Sequence, residues 1–259
     1  VLATFLQKGS ISWLYYSDRL LELPLALFGI AIATVILPAL SADYAKSDED
    51  RFAAKLDWAI RLVLLFGLPA SIALVILADV LIATIFYHGA MTQFDLVMAG
   101  LSLKAYAAGL TAHMMVKVLA PGFFARQDMK TPVKIGIIAL VTNMAFNLVL
   151  IGFLGHIGLA LATSISAFVN AFLLWRALRM KSIYRAGAQW LKFIVRIGCA
   201  LVLMQGLLLV VVPNLDQWLS YALERQILAL FGLCVAGSTV YLITLWLLGL
   251  RVSDFRDQI

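Results

Sequence analysis

Long apolar runs without charge, separated by short polar stretches, set the rhythm of this chain. Residues 23–42, 62–78 and 80–94 contain no Asp, Glu, Lys or Arg, and a lone Asp79 separates the second from the third. Residues 135–175 run 41 positions without a charge, and 197–215 and 226–250 are two further runs. A bilayer core is crossed by about 20 mostly apolar residues in a helix. The 41-residue run therefore predicts two spans joined by a turn at residues 152–156. A weaker run around 94–119, interrupted by Lys104, adds one more. The pattern predicts seven full spans, at 11–40, 58–86, 95–119, 133–153, 157–178, 190–212 and 226–249, with residues 1–9 as the tail of a truncated eighth. Outer-membrane barrels show a weak ten-residue alternation instead, and none is present. The polar, helix-prone stretch 42–58 is expected to lie at the membrane surface ahead of the second span.

Composition agrees with that pattern. Apolar residues make up 63% of the 259 positions and charged residues 13%, where soluble domains sit near about 45–50% and 25%. So few charges would not cover the surface of a soluble fold of this size. Cys199 and Cys234 both sit in apolar runs, which argues against a disulfide scaffold. The fold class is all-α and integral to the membrane, a polytopic helical bundle. The sequence opens on Val1 without an initiator Met or a signal peptide and reads as a piece of something longer.

The net charge of +6 suggests nucleic acid until the basic residues are placed. Taking the loops alternately, one side holds Lys46, Arg51, Lys55, Arg61, Lys117, Arg126, Lys130 and Lys134. The same side holds Arg176, Arg179, Lys181, Arg185, Lys192, Arg196, Arg251 and Arg256. The other side has only Lys8 and Arg225, and Arg19 and Lys104 fall within spans. Basic residues accumulate on the cytoplasmic side. The first full span therefore starts outside and the C-terminus is cytoplasmic. This asymmetry accounts for the charge, and no nucleic acid partner is expected.

The sharpest chemical feature is Tyr15-Tyr16-Ser17-Asp18-Arg19-Leu20-Leu21-Glu22 in the outer half of the first span. A charge on a membrane-crossing helix is costly and normally meets a partner or a watery cavity. Glu22 lies three residues from Arg19 and shares its face, whereas Asp18 is expected to point elsewhere. One reading is an interfacial Arg–Glu pair that snorkels outward. The other is a guanidinium lining a polar cavity, where its planar fork suits phosphate or carboxylate. Lys104 sits near mid-membrane and admits both readings, and Lys117 lies at the inner end of the same span. Asn143 and Asn147 share a helical face, with Thr163 and Ser166 on the next span. Such amides and hydroxyls either join helices or offer oxygens to a cation. Pro24 and Pro69 would loosen their spans. His88, His113 and His156 have no metal-ligand spacing, and nothing resembles an enzyme active site.

Two long stretches carry a family resemblance. SWLYYSDRLLELPLALFGIAIATVILPALS, residues 12–41, resembles the eighth transmembrane helix of the MurJ/MviN lipid II flippases. KVLAPGFFARQDMKTPVK, residues 117–134, resembles their loop between helices ten and eleven. The likeness runs to the C-terminus and is nearest to the enteric-type bacterial proteins. It implies the C-terminal lobe of a transporter of the MOP exporter superfamily, with residues 1–9 ending helix seven. Residues 10–186 would form the lobe's bundle of helices eight to twelve, and 187–259 the helix pair thirteen and fourteen with a cytoplasmic tail.

The resemblance further implies an inner-membrane protein that moves undecaprenyl-diphosphate-linked muropeptide from the inner to the outer leaflet for peptidoglycan synthesis. Arg19 matches the arginine expected to hold the diphosphate, Asp18 and Glu22 its acidic neighbours, and Lys117 a basic residue near the cavity's inner end. Partners would be lipid II, membrane lipids and the missing N-terminal lobe. Some relatives bind sodium at positions matching Asn143, Asn147 and Thr163. Asn147 replaces an expected Asp here and another acidic ligand would fall on helix seven, mostly outside this sequence, so weak or no sodium binding is expected, and no other cofactor is implied. The last two spans resemble a pair that forms a groove for the polyprenyl tail. Rival readings are another MOP-type exporter of polysaccharide-lipid or drug, a lipid-binding scaffold, or a polyprenyl-phosphate enzyme. A drug site would want carboxylates rather than Arg19. An enzyme would need an acidic metal cluster, for which Asp48-Glu49-Asp50 is the only run.

Overall fold

In a computed structural model the chain is described over residues 6–184 and 189–251, and every regular element among them is helical. Residues 6–9 are bends and turns leading into α1, Ser10–Pro24. A six-residue π segment, Leu25–Ile30, follows Pro24 and passes into α2, Ala31–Ala45. Proline has no N–H to give back to the preceding turn, and a wider turn after it accommodates the missing bond. The remaining elements are α3 (Glu49–Phe86), α4 (Gln93–Ala108), α5 (Leu110–Phe124), α6 (Lys130–Met180), α7 (Trp190–Val211), α8 (Leu215–Leu219) and α9 (Leu223–Leu247).

Six of the described helical stretches are long and apolar enough to cross a membrane. The expected count of seven is recovered inside α6. Gly155, at φ 55 and ψ −129, leaves the helical region there and folds the helix back on itself. Only glycine adopts that conformation readily. The two arms then lie so close that a Cβ on Gly158 would sit 2.6 Å from the Leu150 carbonyl oxygen. The 41-residue apolar run is thus one hairpin.

The stretch 42–58 does not form a separate surface helix. Its first residues complete α2, a turn at Ser47 with φ 55 follows, and the rest opens α3 without interruption. Asp48 caps that start by accepting from the Arg51 N–H at 3.0 Å, with Glu49 and Asp50 in the first turn. At 38 residues α3 is about 57 Å long, nearly twice a hydrocarbon core of about 30 Å. Its first turns therefore stand clear of the membrane. On the opposite side, Thr92 and Asp95 form a reciprocal capping box for α4. The Asp95 carboxylate also accepts from the Trp13 indole at 2.8 Å, which ties α1 to α4.

Helix α3 is the spine. Its C-terminal half joins α1, α4, α7, α8 and α9 in one apolar core around Trp13, Leu77, Leu103, Met204 and Trp218. Its N-terminal half joins α2, α5 and the end of α6 in another, around Leu40, Phe52, Leu56, Phe123 and Leu178. Close approach is allowed by small residues. A Cβ on Gly109, between α4 and α5, would lie 2.6 Å from the Ser164 Cα. The Ser164 hydroxyl donates to the Ala105 carbonyl at 2.6 Å, sealing that crossing.

Helices α7 and α9 pack on each other and along α3. The Tyr241 hydroxyl donates to the Leu65 carbonyl at 2.8 Å, and the Trp218 indole to Thr84 Oγ1 at 3.1 Å. On the basic side the buried Asp57 carboxylate receives Arg61 Nε at 2.7 Å, the Tyr184 hydroxyl at 2.9 Å and the Trp190 indole at 2.7 Å. Burial, reinforced by Asp57, pushes the Tyr184 phenol well above its ordinary range. The expected domain boundary at 186/187 falls outside the described residues.

Candidate functional site

One side of α1 is left uncovered by the rest of the chain. The buried side carries Trp13, Ser17, Leu20 and Leu21. The Ser17 hydroxyl donates to the Ala99 carbonyl at 2.7 Å and fixes the rotation of the helix against α4. The uncovered side carries Ser12, Tyr15, Asp18, Arg19 and Glu22. Arg19 Nη1 meets Glu22 Oε2 at 3.0 Å, with side chains 54% and 52% exposed. The guanidinium also lies 4.9 Å from the centre of the Tyr15 ring. The i, i+3 pairing expected from spacing is present.

Asp18 is exposed as well. Among the described ion pairs Arg19 meets Glu22 and not Asp18. Adjacent residues are about 100° apart on a helix, and the uncovered arc is wide enough to include both. Tyr16 is drawn off instead, half-buried and stacked on Phe86 at 4.8 Å. Three charged side chains thus stand together on a membrane-crossing helix, with one ion pair among them. An exposed pair of this kind contributes little to stability. The guanidinium keeps further N–H donors that Glu22 does not use.

Lys117 does not join this cluster. It is exposed in the C-terminal half of α5, beside a cavity of about 350 Å³ that His113, Asn143, Thr163, Ser166 and Asn170 also line. The Asn143, Asn147 and Thr163 side chains do come together, but they occupy one another. Asn147 Nδ2 donates to Asn143 Oδ1 at 2.9 Å, Asn143 Nδ2 to Thr163 Oγ1 at 3.4 Å, and the Thr163 hydroxyl to the Leu159 carbonyl at 3.0 Å. Of these three side chains, only Asn147 has a buried atom without a partner, its Oδ1. A hard cation wants about six oxygen ligands, usually with negative charge among them. These three side chains offer one uncommitted oxygen and no negative charge. Among the described residues no group of His, Cys, Asp and Glu could hold a metal ion.

The Asp48-Glu49-Asp50 run is likewise spent on structure. Asp48 caps α3 and Glu49 reaches Arg126 at 3.5 Å. In the neighbouring loop Lys181 Nζ meets Asp128 Oδ2 at 2.6 Å. With Thr131, it holds the Asp128 carboxyl well below the usual carboxylate range.

Lys104 is paired, which spacing left open. Its Nζ lies 2.6 Å from Asp79 Oδ2 on α3, and both side chains are about a third exposed. Gly100, one turn before Lys104, leaves room for the Asp79 carboxylate against the α4 backbone. A signal for this pair existed. Reflected through the turn at residues 87–92, Asp79 falls opposite Gly100, and Lys104 is one turn on along the same face. The contacts Trp13–Asp95 and Ser17–Ala99 share an offset of 82 residues. That offset sets Asp18 level with Gly100 and Glu22 level with Lys104. The acids and bases of α1, α3 and α4 therefore occupy one layer of the membrane.

A second cavity, of about 330 Å³, opens between the π segment, α3, α7 and α9. Phe28, Phe66, Met204, Leu208, Leu233 and Tyr241 line it. Its lining is almost wholly apolar, and it suits a hydrocarbon chain rather than a polar ligand.

The comparisons with known proteins fit this arrangement. The family model described as lipid II flippase MurJ matches residues 1–248. A probable lipid II flippase MurJ of Vibrio cholerae is 48% identical over 255 residues, which cover 98% of this chain and 49% of that protein. Its counterpart in Haemophilus influenzae is 46% identical over 258 residues, covering 97% and 50%. A solved structure titled lipid II flippase MurJ, inward closed conformation, superposes with a TM-score of 0.76 at 27% identity, covering 94% of this chain and 48% of that one. The chain thus spans about half the length of the curated relatives it matches.

Proposed function

This chain belongs to the lipid II flippase family, and we propose that it forms the C-terminal lobe of a flippase for undecaprenyl-diphosphate-linked muropeptide. The observation that carries this reading is the uncovered charged stripe Asp18–Arg19–Glu22 on a helix that crosses the membrane. In the full protein that stripe would face the missing N-terminal lobe across a polar cavity. The Arg19 guanidinium would hold the diphosphate in a fork, and Glu22 would orient it while the site is empty.

Transport needs no covalent step. The two lobes would rock about the cavity, so that the headgroup crosses inside while the tail stays in lipid. The apolar cavity bounded by the π segment, α3, α7 and α9 supports a place for the tail. It also supports treating α7–α9 as a unit added to the bundle of α1–α6. Lys117 would meet the substrate nearer the inner end. The basic-residue asymmetry supports a cytoplasmic C-terminus in the bacterial inner membrane.

Expression of the full-length parent gene in a bacterium depleted of its own flippase tests the reading. Growth should be restored to the same level with and without external sodium. Asn147→Ala should cost only about 0.6–2 kcal/mol of helix-joining hydrogen bonding and keep that growth. A sodium requirement that Asn147→Ala abolishes would mean that the amide chain is an ion site after all. Failure of the wild-type parent to restore growth would refute the flippase reading.

A further inference from the structure

A third cavity, of about 580 Å³, lies among α3, α5, the second arm of α6 and the start of α7, and no residue of α1 lines it. Two of its walls are helical stripes. Ile60, Leu64, Leu68 and Ser71 recur at i, i+4, i+8 and i+11 along α3, and Phe168, Phe172, Trp175 and Arg179 at i, i+4, i+7 and i+11 along α6. Such spacing keeps each set on one face of its helix. Eleven residue steps of helix measure about 16 Å, close to half of a hydrocarbon core of about 30 Å. The cavity is therefore about as deep as one leaflet.

Its polarity is graded from one end to the other. At the deep end the Ser71 hydroxyl is spent on the Ala107 carbonyl. At the other end Arg179 stands exposed in the last turn of α6, 5.4 Å from the centre of the Trp175 ring. It enters no ion pair among the described residues, and no carboxylate lines the cavity. Tyr184 and Trp190 line this end too. Asp57 holds both, accepting from the hydroxyl at 2.9 Å and the indole at 2.7 Å, while Arg61 neutralises that carboxylate. Aromatic residues with a polar edge and a cation mark the depth where headgroups meet hydrocarbon. A small soluble anion would leave the slot empty, and a hydrocarbon alone would leave Arg179 without a counter-charge. We propose that this cavity is a site for a bilayer phospholipid of the basic-side leaflet, one acyl chain between the two stripes and its phosphate against Arg179. The walls beyond Arg179 are too apolar for the headgroup of a muropeptide lipid to follow, which separates this site from the transport path. The inference goes beyond the proposed function and takes from it only the placement in the membrane.

The test places the full-length parent in phosphatidylethanolamine vesicles containing a small fraction of phosphatidylglycerol with a photoreactive diazirine in one acyl chain. After illumination, adducts should concentrate on the peptides holding Leu64, Met115 and Phe172, well above those on the exposed Leu209 of α7. Arg179→Gln should raise the fraction of labelled lipid needed for half-maximal adducts there about fivefold. Arg179 is exposed, so this variant should fold normally. Ala108 is exposed on the cavity wall. Ala108→Trp should fill the space and remove adducts at the three positions while keeping those at Leu209. Growth scores the flippase reading separately, and Arg19→Ala should leave the adducts unchanged. Labelling no denser than at Leu209 and indifferent to Arg179→Gln would overturn the proposal, since ordinary bilayer contact gives that result. Displacement of the labelled lipid by undecaprenyl diphosphate would overturn it as well, because the cavity would then belong to the route of the cargo.

Discussion

Arg19→Ala in the full-length parent should abolish growth when it is the only flippase copy, while the protein still inserts and accumulates. The two halves of that expectation have different origins. Accumulation persists because the Arg19 side chain is 54% exposed and paired only with an exposed Glu22. Removing it opens no void in either core and strands no buried group. Growth fails because the stripe loses the guanidinium that would hold the diphosphate. Arg19→Lys should be nearly as harmful, since a compact ammonium cannot reproduce the two-pronged contact. Normal growth on Arg19→Ala would remove Arg19 from the transport step.

The second large effect is on the fold. Asp79→Asn leaves Lys104 without its counter-charge in the membrane layer of the α3–α4 pair. An uncompensated Lys there costs about 2.5–3.5 kcal/mol on insertion scales, less whatever its partial exposure recovers. The single variant should accumulate poorly and melt several degrees lower in detergent. The double variant Asp79→Asn with Lys104→Met should recover most of that loss, because it removes both charges together. Equal damage in the single and double variants would show that the pair acts through something other than charge compensation.

How much of this was legible in the sequence depends on which interactions are local. The spans follow from apolar runs, and the α6 hairpin from a run twice the bilayer's thickness, because hydropathy acts residue by residue. The Arg19–Glu22 pair follows from helical spacing alone. The true length of α3 did not, since Glu49–Trp58 is polar and an apolar ruler stops at the membrane surface, whereas the helix continues under its own capping and propensity. The open side of α1 has a different origin. Which side of α1 lies open is decided by Ser17, Trp13 and the backbone of α4, not by the spacing of charges. Asp79–Lys104 required the turn between α3 and α4 as a mirror. The cavity that ends at Arg179 had no signal at all, because a void appears only once neighbours are in place.

The central claim is that the Asp18–Arg19–Glu22 side of α1 faces water and substrate rather than lipid. The direct measurement is thiol labelling of the full-length parent, with Cys199 and Cys234 first replaced because both are exposed. Single cysteines then go to Ser12, Asp18 and Glu22, and as comparison to the buried Leu21 and to Leu209, which is 60% exposed on the apolar surface of α7. A membrane-impermeant reagent added from the periplasm should label positions 12, 18 and 22, and added lipid II should slow labelling at 18 and 22. Positions 21 and 209 should stay unlabelled, the one covered by protein and the other by lipid. Labelling of position 209 as fast as position 18, or none at 18 and 22, would contradict the account.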